Sequence, residues 1–441
     1  MFTAKHQVAL VTNGKPSASI VLGDKPTKSA QFAAKELQYQ IKRISGAELK
    51  IKKTPIQGLL PIYVGESETL KEAGLSNEQF GEQEYAIVIR NDKIILTGKD
   101  ATLYSKVNYN PDKPAGWSGL PGFWEEHGTL NAVYDFMERF CGVRYFNPTE
   151  YGTFYPKTKN LIISGSDIRR KPFFRYREVH PMSVLPERMD SVNILWDRNS
   201  KEFKEWQKIA YPKLTQEYTK PGVFKKAYRN IAYRYLLRSR HGGKLMRANH
   251  SLYGYYNYFW NKKSKNFIAY HPEWFAKGWG AGRPEQMCYT NEGLIKEVAK
   301  EADLYFNGKD ITGKHPCNYH WGKDNFAVVP MDNEFHCKCP ACQKLLRKKK
   351  KVNRQRDYST DLMFTFVNRV AKLVKQTHPD KTISTLAYAG YMAPPDFPLE
   401  DNIAVHFCWE NNRSPFSAEC KQQKKYLLEW AKKKPNGFFL A

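Results

Sequence analysis

The sequence contains no run of 18 apolar residues, so no segment of it predicts a membrane-spanning helix. Its first residues also lack the apolar stretch of a secretory signal peptide and are typical of a first β-strand instead. Gly-rich phosphate loops and nucleotide fingerprints are missing as well, and no internal repeat stands out. These absences argue against a membrane-spanning, nucleotide-dependent or repeat protein.

Cysteine and acidic residues are both scarce. Eight cysteines in 441 residues are too few for a disulfide scaffold, so the cysteine count does not indicate whether the protein works in an oxidising or a reducing compartment. The chain has 44 Asp and Glu against 70 Lys and Arg, and its net charge of +26 favours acidic partners. Because the basic residues are spread along the chain, with one dense run at 347–351, a dedicated nucleic-acid role is not expected.

Aromatic residues, in contrast, are plentiful, at 14% of the chain with 10 Trp and 27 Tyr. This content predicts a folded chain, and the length predicts two or three domains with room for a large core. Flat aromatic rings also suit the packing of sugar rings, although ordinary core packing explains the same composition.

Residues 1–168 predict a small α/β domain, with a sheet that carries helices on one face. The helix at 27–45 has apolar residues at three- and four-residue spacing and ends at Gly46. An Asn91-Asp92 turn joins two strands as a hairpin. The predicted strands are 19–22, 61–64, 85–90, 93–97 and 161–164, and the second helix is 129–140.

Residues 169–441 alternate apolar strands with amphipathic helices, which predicts a parallel sheet buried on both faces. Over this length a (β/α)8-type TIM barrel fits better than an open sheet. About six strands are recognisable, so the barrel is expected to be truncated at the C-terminus. The predicted strands are 173–177, 244–248, 325–331, 383–388, 403–409 and 437–440, and the helices are 201–238, 292–306, 360–376 and 417–433.

Several motifs resemble known glycan-degrading proteins. The segments 128–138, 142–146 and 151–156 resemble the α/β domain that precedes the barrel in β-hexosaminidases and α-glucuronidases. The second domain resembles the family catalogued as domain of unknown function 4838, which overlaps glycoside hydrolase family 163. The segments that carry this second resemblance are 271–275, 286–291, 330–333, 337–342, 366–368, 386–388 and 394–395.

The resemblance implies a glycoside hydrolase that acts on glycans, with β-N-acetylglucosamine linkages as the expected target. It also implies that the protein is secreted, periplasmic or on a bacterial cell surface. No cofactor is expected. The expected partner is an oligosaccharide or polysaccharide, and the basic surface favours an acidic one.

Glycoside hydrolysis usually needs two carboxyl groups, and in a TIM barrel they lie at the C-terminal ends of strands. Asp332 and Glu334 follow the strand at 325–331, and Glu410 follows the strand at 403–409. These three are the predicted catalytic residues, with Glu178 as a further carboxylate at a strand end. The alternatives are a helix-capping role for Asp332 and an ion pair of Glu410 with Arg413.

The predicted substrate-binding residues lie at the ends of predicted strands or in the loops that follow them. By resemblance to hexosaminidases, Arg177 would bind sugar hydroxyls, with a structural ion pair as the alternative. His250 could bind substrate or adjust the pKa of an acid, and a scaffold role is the alternative. Aromatic residues could form a sugar platform or a buried loop core. The full predicted set is Arg177, His250, Asn249, Tyr255, Trp260, Tyr388, Tyr391 and Trp409.

Cys337, Cys339 and Cys342 form a Cys-x-Cys-x-x-Cys cluster next to His336, and thiolates this close can bind zinc. The following stretch supplies no second pair of ligands, and Cys288, Cys317 and His320 are only distant candidates. We therefore expect no metal, with these cysteines as the candidates if one is bound.

Two other classes of protein remain open. A degenerate or truncated barrel could bind glycans without catalysis. A protein whose binding depends on charge would instead bind random DNA with a steep salt dependence.

Overall fold

The structure of the protein is a computed structural model. It describes residues 5–66, 70, 75–178, 201–280, 282–309, 322, 324–352, 355–409, 416–433 and 438–440. Contacts divide the chain into two compact units, Met1–Lys244 and Leu245–Ala441. No helix among the described residues is long and apolar enough to cross a membrane.

The first unit is built on a six-stranded mixed sheet with two long helices packed on one face. Its strands are β1 (His6–Thr12), β2 (Lys15–Pro16), β3 (Ala18–Leu22), β4 (Ile51–Lys52), β5 (Leu60–Val64), β6 (Tyr85–Ile89), β7 (Ile94–Gly98), β8 (Arg144–Tyr145), β9 (Thr153–Phe154), β10 (Leu161–Gly165), β11 (Ile168–Arg170), β12 (Tyr176–Arg177) and β13 (Gly242–Gly243). The large sheet has the order β11-β6-β7-β5-β3-β4. Its helices are α1 (Lys28–Ser45), α2 (Gly128–Arg139), α3 (Lys201–Ala210), α4 (Pro212–Glu217) and α5 (Pro221–Arg238).

Helix α1 forms where its apolar spacing predicts. The Thr27 hydroxyl accepts a hydrogen bond from Ala30 N, and Gly46 ends the helix in the left-handed region at φ 81°. Its apolar stripe, which includes Phe32, Leu37 and Ile41, is fully buried. The predicted hairpin is also confirmed, since β6 and β7 pair antiparallel.

Helix α2 begins in backbone contact with the end of β7. A Cβ atom on Gly128 would lie 2.5 Å from both Glu84 O and Lys99 N, closer than side-chain carbons approach backbone atoms. We therefore expect Gly128→Ala to lower the free energy of unfolding by about 1–3 kcal/mol, because backbone cannot move aside cheaply. Urea denaturation followed by circular dichroism measures this change.

The control is Gly222→Ala in α5, where an added Cβ meets nothing within 4 Å outside its own helix backbone. This variant should be neutral or slightly more stable, because alanine favours helix over glycine. Equal losses of stability in both variants would contradict the close-contact explanation.

The second unit has a parallel sheet of order β14-β15-β16-β17. Its strands are β14 (Asn325–Ala327), β15 (Thr382–Ala387), β16 (Ile403–Phe407) and β17 (Phe438–Leu440), and its helices are α6 (Tyr255–Phe259), α7 (Glu292–Phe306), α8 (Pro340–Lys344), α9 (Thr360–Thr377) and α10 (Ala418–Lys433). The central strands are almost entirely buried, as predicted for a parallel sheet covered on both faces. The described residues show this open parallel sheet and no closed barrel.

One predicted strand is wrong. Residues 244–248 form no strand, although the segment passes close to β14 and β15. The carbonyl oxygen of Arg247 instead accepts hydrogen bonds from the side chains of Asn325 and Ser384. Side-chain donors thus take the place that a strand ladder would fill. The predicted strand at 173–177 is also shorter than expected and is limited to β12.

The contacts extend the first unit beyond the predicted domain boundary between residues 168 and 169. The reason lies in α5, whose Arg238 side chain pairs with the buried Glu36 of α1. A compact unit and an evolutionary domain need not coincide, and the boundary at 168 stays a prediction.

Candidate functional site

A cavity of about 240 Å³ opens at the C-terminal edge of the parallel sheet in the second unit. Two of the loops that line it follow neighbouring strands: Asp332 and Glu334 come after β14, and Tyr388 comes directly after β15. Because β14 and β15 run parallel, their C-terminal ends meet at one edge of the sheet. The sheet thus brings together two predicted acids and two predicted aromatic residues, Tyr388 and Tyr391.

The loop that carries the acids is held by buried side chains. The fully buried Gln286 donates from its amide nitrogen to Met331 O and Asn333 O, both at 2.7 Å. The Tyr253 hydroxyl accepts a hydrogen bond from Asp332 N at 2.9 Å. These contacts fix the loop backbone on both sides of Asp332, while its carboxylate stays 55% exposed.

His250 contacts the first of the two acids. Its Nδ1 lies 2.5 Å from Pro330 O, and since a carbonyl oxygen can only accept, Nδ1 carries a proton there. Its Nε2 then faces Asp332 Oδ1 at 3.5 Å, and the two form an ion pair when the imidazole is doubly protonated. The predicted residue His250 therefore lies beside the predicted acid, and Asn249 Oδ1 accepts a hydrogen bond from His250 N.

Three other residues that line the cavity have buried polar atoms without a hydrogen-bond partner in the described part of the chain. They are the Tyr391 hydroxyl, the Ser359 hydroxyl and both ring nitrogens of His336. Burial lowers the pKa of His336 to about 4, so its ring is neutral at pH 7 and offers one donor and one acceptor. Buried polar groups normally have partners, so this wall is suited to a polar ligand.

Sequence reasoning missed Ser359 and the cavity role of His336. Ser359 precedes α9, far along the chain from either acid, and no local pattern marks it. His336 stood out only as a neighbour of the cysteine cluster. Only its position two residues after Glu334 indicates that it lies in the same loop as Asp332 and Glu334.

The other predicted site residues lie elsewhere or outside the described residues. Tyr255 is fully buried in the core of the second unit, where its ring packs against Phe259. Trp260 lines a second, more open cavity together with Tyr270 and Arg283. Trp409 follows β16, half-buried, with its ring 6.4 Å from that of Phe407. Glu410 lies outside the described residues.

Arg177 belongs to the first unit. Its Nε donates to Arg240 O and its Nη1 donates to Phe174 O, both at 2.8 Å. It lines a cavity of about 440 Å³ in that unit, which also contains Asp135. Burial lowers the pKa of the Arg177 guanidinium. Close by, the Glu178 carboxylate accepts a hydrogen bond from the Tyr176 hydroxyl.

The cysteines form a separate cluster in the second unit. The sulfur atoms of Cys288, Cys337, Cys339 and Cys342 all lie within 4.8 Å of one another. The hydrogen bond with Cys337 raises the pKa of the Cys288 thiol to about 12, and the same sulfur contacts lower the pKa of Cys337. Cys288, which the sequence analysis treated as a distant candidate, is therefore the fourth member. Cys317 and His320 lie outside the described residues.

The fold and the cavity together define a mixed α/β protein with an acid-bearing pocket at the edge of a parallel sheet. The chain belongs to the family described as domain of unknown function DUF4838, whose model matches residues 147–434. This confirms the resemblance read from the motifs. No curated protein matches the chain.

Several solved structures are similar to the chain at low identity. A family GH115 4-O-methyl-α-glucuronidase with specificity for decorated arabinogalactans has 13% identity and a TM-score of 0.40, over 91% of this chain and 46% of that one. The Flavobacterium johnsoniae chitobiase has 13% identity and a TM-score of 0.39, over 100% of this chain and 57% of that one. A GH20 β-N-acetylhexosaminidase from Streptomyces coelicolor A3(2) has 12% identity and a TM-score of 0.36, over 100% and 72%. The chain thus spans about half the length of the first two.

Proposed function

We propose that the protein is a glycoside hydrolase that cleaves β-N-acetylglucosamine linkages in the cavity of the second unit. One observation carries this proposal: Asp332 and Glu334 line a cavity together with His336, Ser359 and Tyr391, whose buried polar atoms have no hydrogen-bond partner in the described part of the chain. Carboxylates supply the acid–base chemistry of glycoside hydrolysis, and unpartnered polar groups can bind sugar hydroxyl or acetamide groups.

The two acids differ in their surroundings, which suits two different roles. The Asp332 carboxylate faces His250 Nε2, and the backbone N–H of Asp332 donates a hydrogen bond to the Tyr253 hydroxyl. The Glu334 carboxylate lies beside Gly390, where an added Cβ would come within 3.3 Å of its Oε1. In the proposed reaction one of the pair protonates the leaving oxygen, and the other orients the acetamide group or activates water. Glu410 remains a proposed third acid.

The Tyr388 ring is proposed to pack against a sugar face, because Tyr388 lines the cavity. Its ring centroid lies 6.3 Å from that of Tyr391 and 5.7 Å from that of His250. The parallel sheet is proposed to be part of a (β/α) barrel, in which loops at the C-terminal ends of strands carry the active site. The high net charge supports an acidic glycan as substrate, and action on such glycans fits a location outside the cytoplasm.

The test is hydrolysis of a defined panel by the purified chain: chitooligosaccharides, N-glycan oligosaccharides and an aryl β-N-acetylglucosaminide. We expect cleavage of at least one N-acetylglucosamine-containing member, and NMR of the first-formed product gives its anomeric configuration. Sugar binding by calorimetry with no cleavage of any member would favour a non-catalytic glycan-binding protein. Neither binding nor cleavage, together with salt-dependent binding to random DNA, would overturn the glycan proposal altogether.

A further inference from the structure

The four sulfur atoms of the cysteine cluster have the spacing of metal ligands. Cys288 Sγ lies 3.8 Å from Cys339 Sγ and 3.9 Å from Cys342 Sγ. A tetrahedral zinc ion with Zn–S bonds of about 2.3 Å requires its sulfur ligands to be about 3.8 Å apart. A disulfide instead joins sulfur atoms at about 2.05 Å, and all four cysteines are free.

The ligands come from two segments that are fixed independently of any ion. Cys288 follows Met287, which pairs with Phe275 in an antiparallel bridge. The other three come from the Cys337–Cys342 segment, where Cys339 is the N-cap of α8. Three of the four cysteines are buried and Cys339 is half-buried, so the cluster is closed to solvent on most sides.

Donors around the cluster favour thiolates over thiols. Lys277 N donates to Cys337 Sγ at 3.3 Å, and Cys342 N approaches Cys339 Sγ at 3.5 Å. The Thr290 hydroxyl lies 3.2 Å from Cys342 Sγ. A neutral thiol is a weak hydrogen-bond acceptor, so these contacts stabilise four neutral thiols only slightly. They stabilise the negative charge of thiolates around a cation more strongly, because hydrogen bonds to charged acceptors are stronger.

We propose that Cys288, Cys337, Cys339 and Cys342 bind one structural zinc ion. Four protein ligands leave no open coordination position, so the ion has no substrate-binding or hydrolytic role. It ties the segment at 286–288 to the end of the loop that carries Asp332 and Glu334. The adjoining His336 O accepts a hydrogen bond from Trp279 Nε1 at 2.8 Å, which fixes the backbone between the acids and the ligands.

The test measures metal directly in the full chain, purified under reducing conditions with zinc present. We expect about one zinc per chain by plasma mass spectrometry. Replacement by Co²⁺ should produce intense visible d–d bands and near-ultraviolet charge-transfer bands, which mark tetrahedral thiolate coordination. Titration of wild type with a mercurial reagent should release the zinc to a chromogenic chelator, so this readout does not depend on variants that fold poorly.

Cys339→Ser is the informative variant, because this ligand is the least buried of the four. Its zinc content should fall at least about tenfold, since a serine hydroxyl is a far poorer zinc ligand than a thiolate. The matched control is Cys420→Ser, a buried free cysteine on α10 outside the cluster, which should retain its zinc.

Wild type without stoichiometric zinc, or with iron in its place, would overturn the proposal. So would unchanged zinc content in Cys339→Ser, or two disulfides among the four cysteines in freshly purified wild type. None of these outcomes depends on glycosidase activity, so the zinc site and the proposed function can fail separately.

Discussion

Asp332→Asn and Glu334→Gln are each expected to lower kcat on an N-acetylglucosamine-containing substrate by about 10²–10⁴-fold. This range is the usual contribution of a positioned general acid or base, and both substitutions keep the shape of the side chain while removing its ability to exchange a proton. Initial rates at saturating substrate measure the loss directly.

The fold should survive both substitutions, since the Asp332 carboxylate is 55% exposed and Glu334 is also exposed. Thermal unfolding should therefore show little change, which separates lost chemistry from lost structure. In Asp332→Asn a neutral amide faces His250 Nε2, so the ion pair between residues 332 and 250 cannot form.

The control is Asp396→Asn, a 95% exposed carboxylate of the same unit that pairs with Arg347 at the surface. It should keep wild-type kcat, because an exposed ion pair contributes little to stability and this one lies outside the cavity. If the two acid variants retained the same rate as this control, the cavity would not be the catalytic site.

Glu36→Gln is expected to lower the free energy of unfolding of the first unit by about 3–5 kcal/mol. Glu36 is fully buried, and its carboxylate accepts two hydrogen bonds from Arg238, from Nε at 2.7 Å and from Nη2 at 3.1 Å. It also accepts hydrogen bonds from the Tyr109 and Tyr134 hydroxyls. The glutamine amide would leave the buried guanidinium of Arg238 without a counter-charge.

The Glu36–Arg238 pair also makes the stability of the first unit depend on pH. Burial alone would raise the pKa of Glu36, but the nearby guanidinium groups of Arg238 and Arg234 outweigh it and hold the pKa below its usual value. A carboxyl whose pKa is lower in the folded state stabilises the fold above its unfolded pKa and loses that effect as pH falls. The contribution should be complete above about pH 5 and decline below it in wild type, with no such decline from this site in Glu36→Gln.

Urea denaturation at several pH values measures both effects. The matched control is Glu48→Gln, which removes the partner of the α1 residue Lys42 from an exposed ion pair, where the glutamate is 56% exposed. Its cost should stay below about 0.5 kcal/mol. A loss of similar size in both variants would mean that burial does not set the strength of the Glu36–Arg238 pair.

Much of the fold could be predicted from local pattern. The amphipathic stripe of α1, the helix at 292–306 and the apolar runs of β15 and β16 are local features, and the structure forms each of them within a residue or two. The strand predicted at 244–248 did not form, and its Arg247 carbonyl instead accepts hydrogen bonds from the side chains of Asn325 and Ser384, which are distant in sequence. A local pattern contains no information about such partners.

Some residues of the candidate site could likewise be predicted from local sequence pattern, and others could not. Asp332 and Tyr388 could be predicted because each follows a strand, and parallel strands place such residues at a common edge. Ser359 and His336 could not, since an unpartnered buried hydroxyl or imidazole is recognised only when its whole surroundings are known. Tyr255 begins α6 and Trp260 directly follows this helix, yet Trp260 lines an open cavity and Tyr255 is buried in the core.

Spacing along the chain is enough to predict most of the helices, the strands β15 and β16, the acids at the strand ends and the three clustered cysteines. Tertiary structure alone decided that Cys288 completes a set of four sulfur atoms, that His250 faces Asp332 and that Arg238 neutralises Glu36. These pairings join residues that are 49 to 202 positions apart in the sequence, and they depend on which elements pack together. Charge, thiolate and hydrogen-bond interactions act over a few ångströms, so only the folded chain can select their partners.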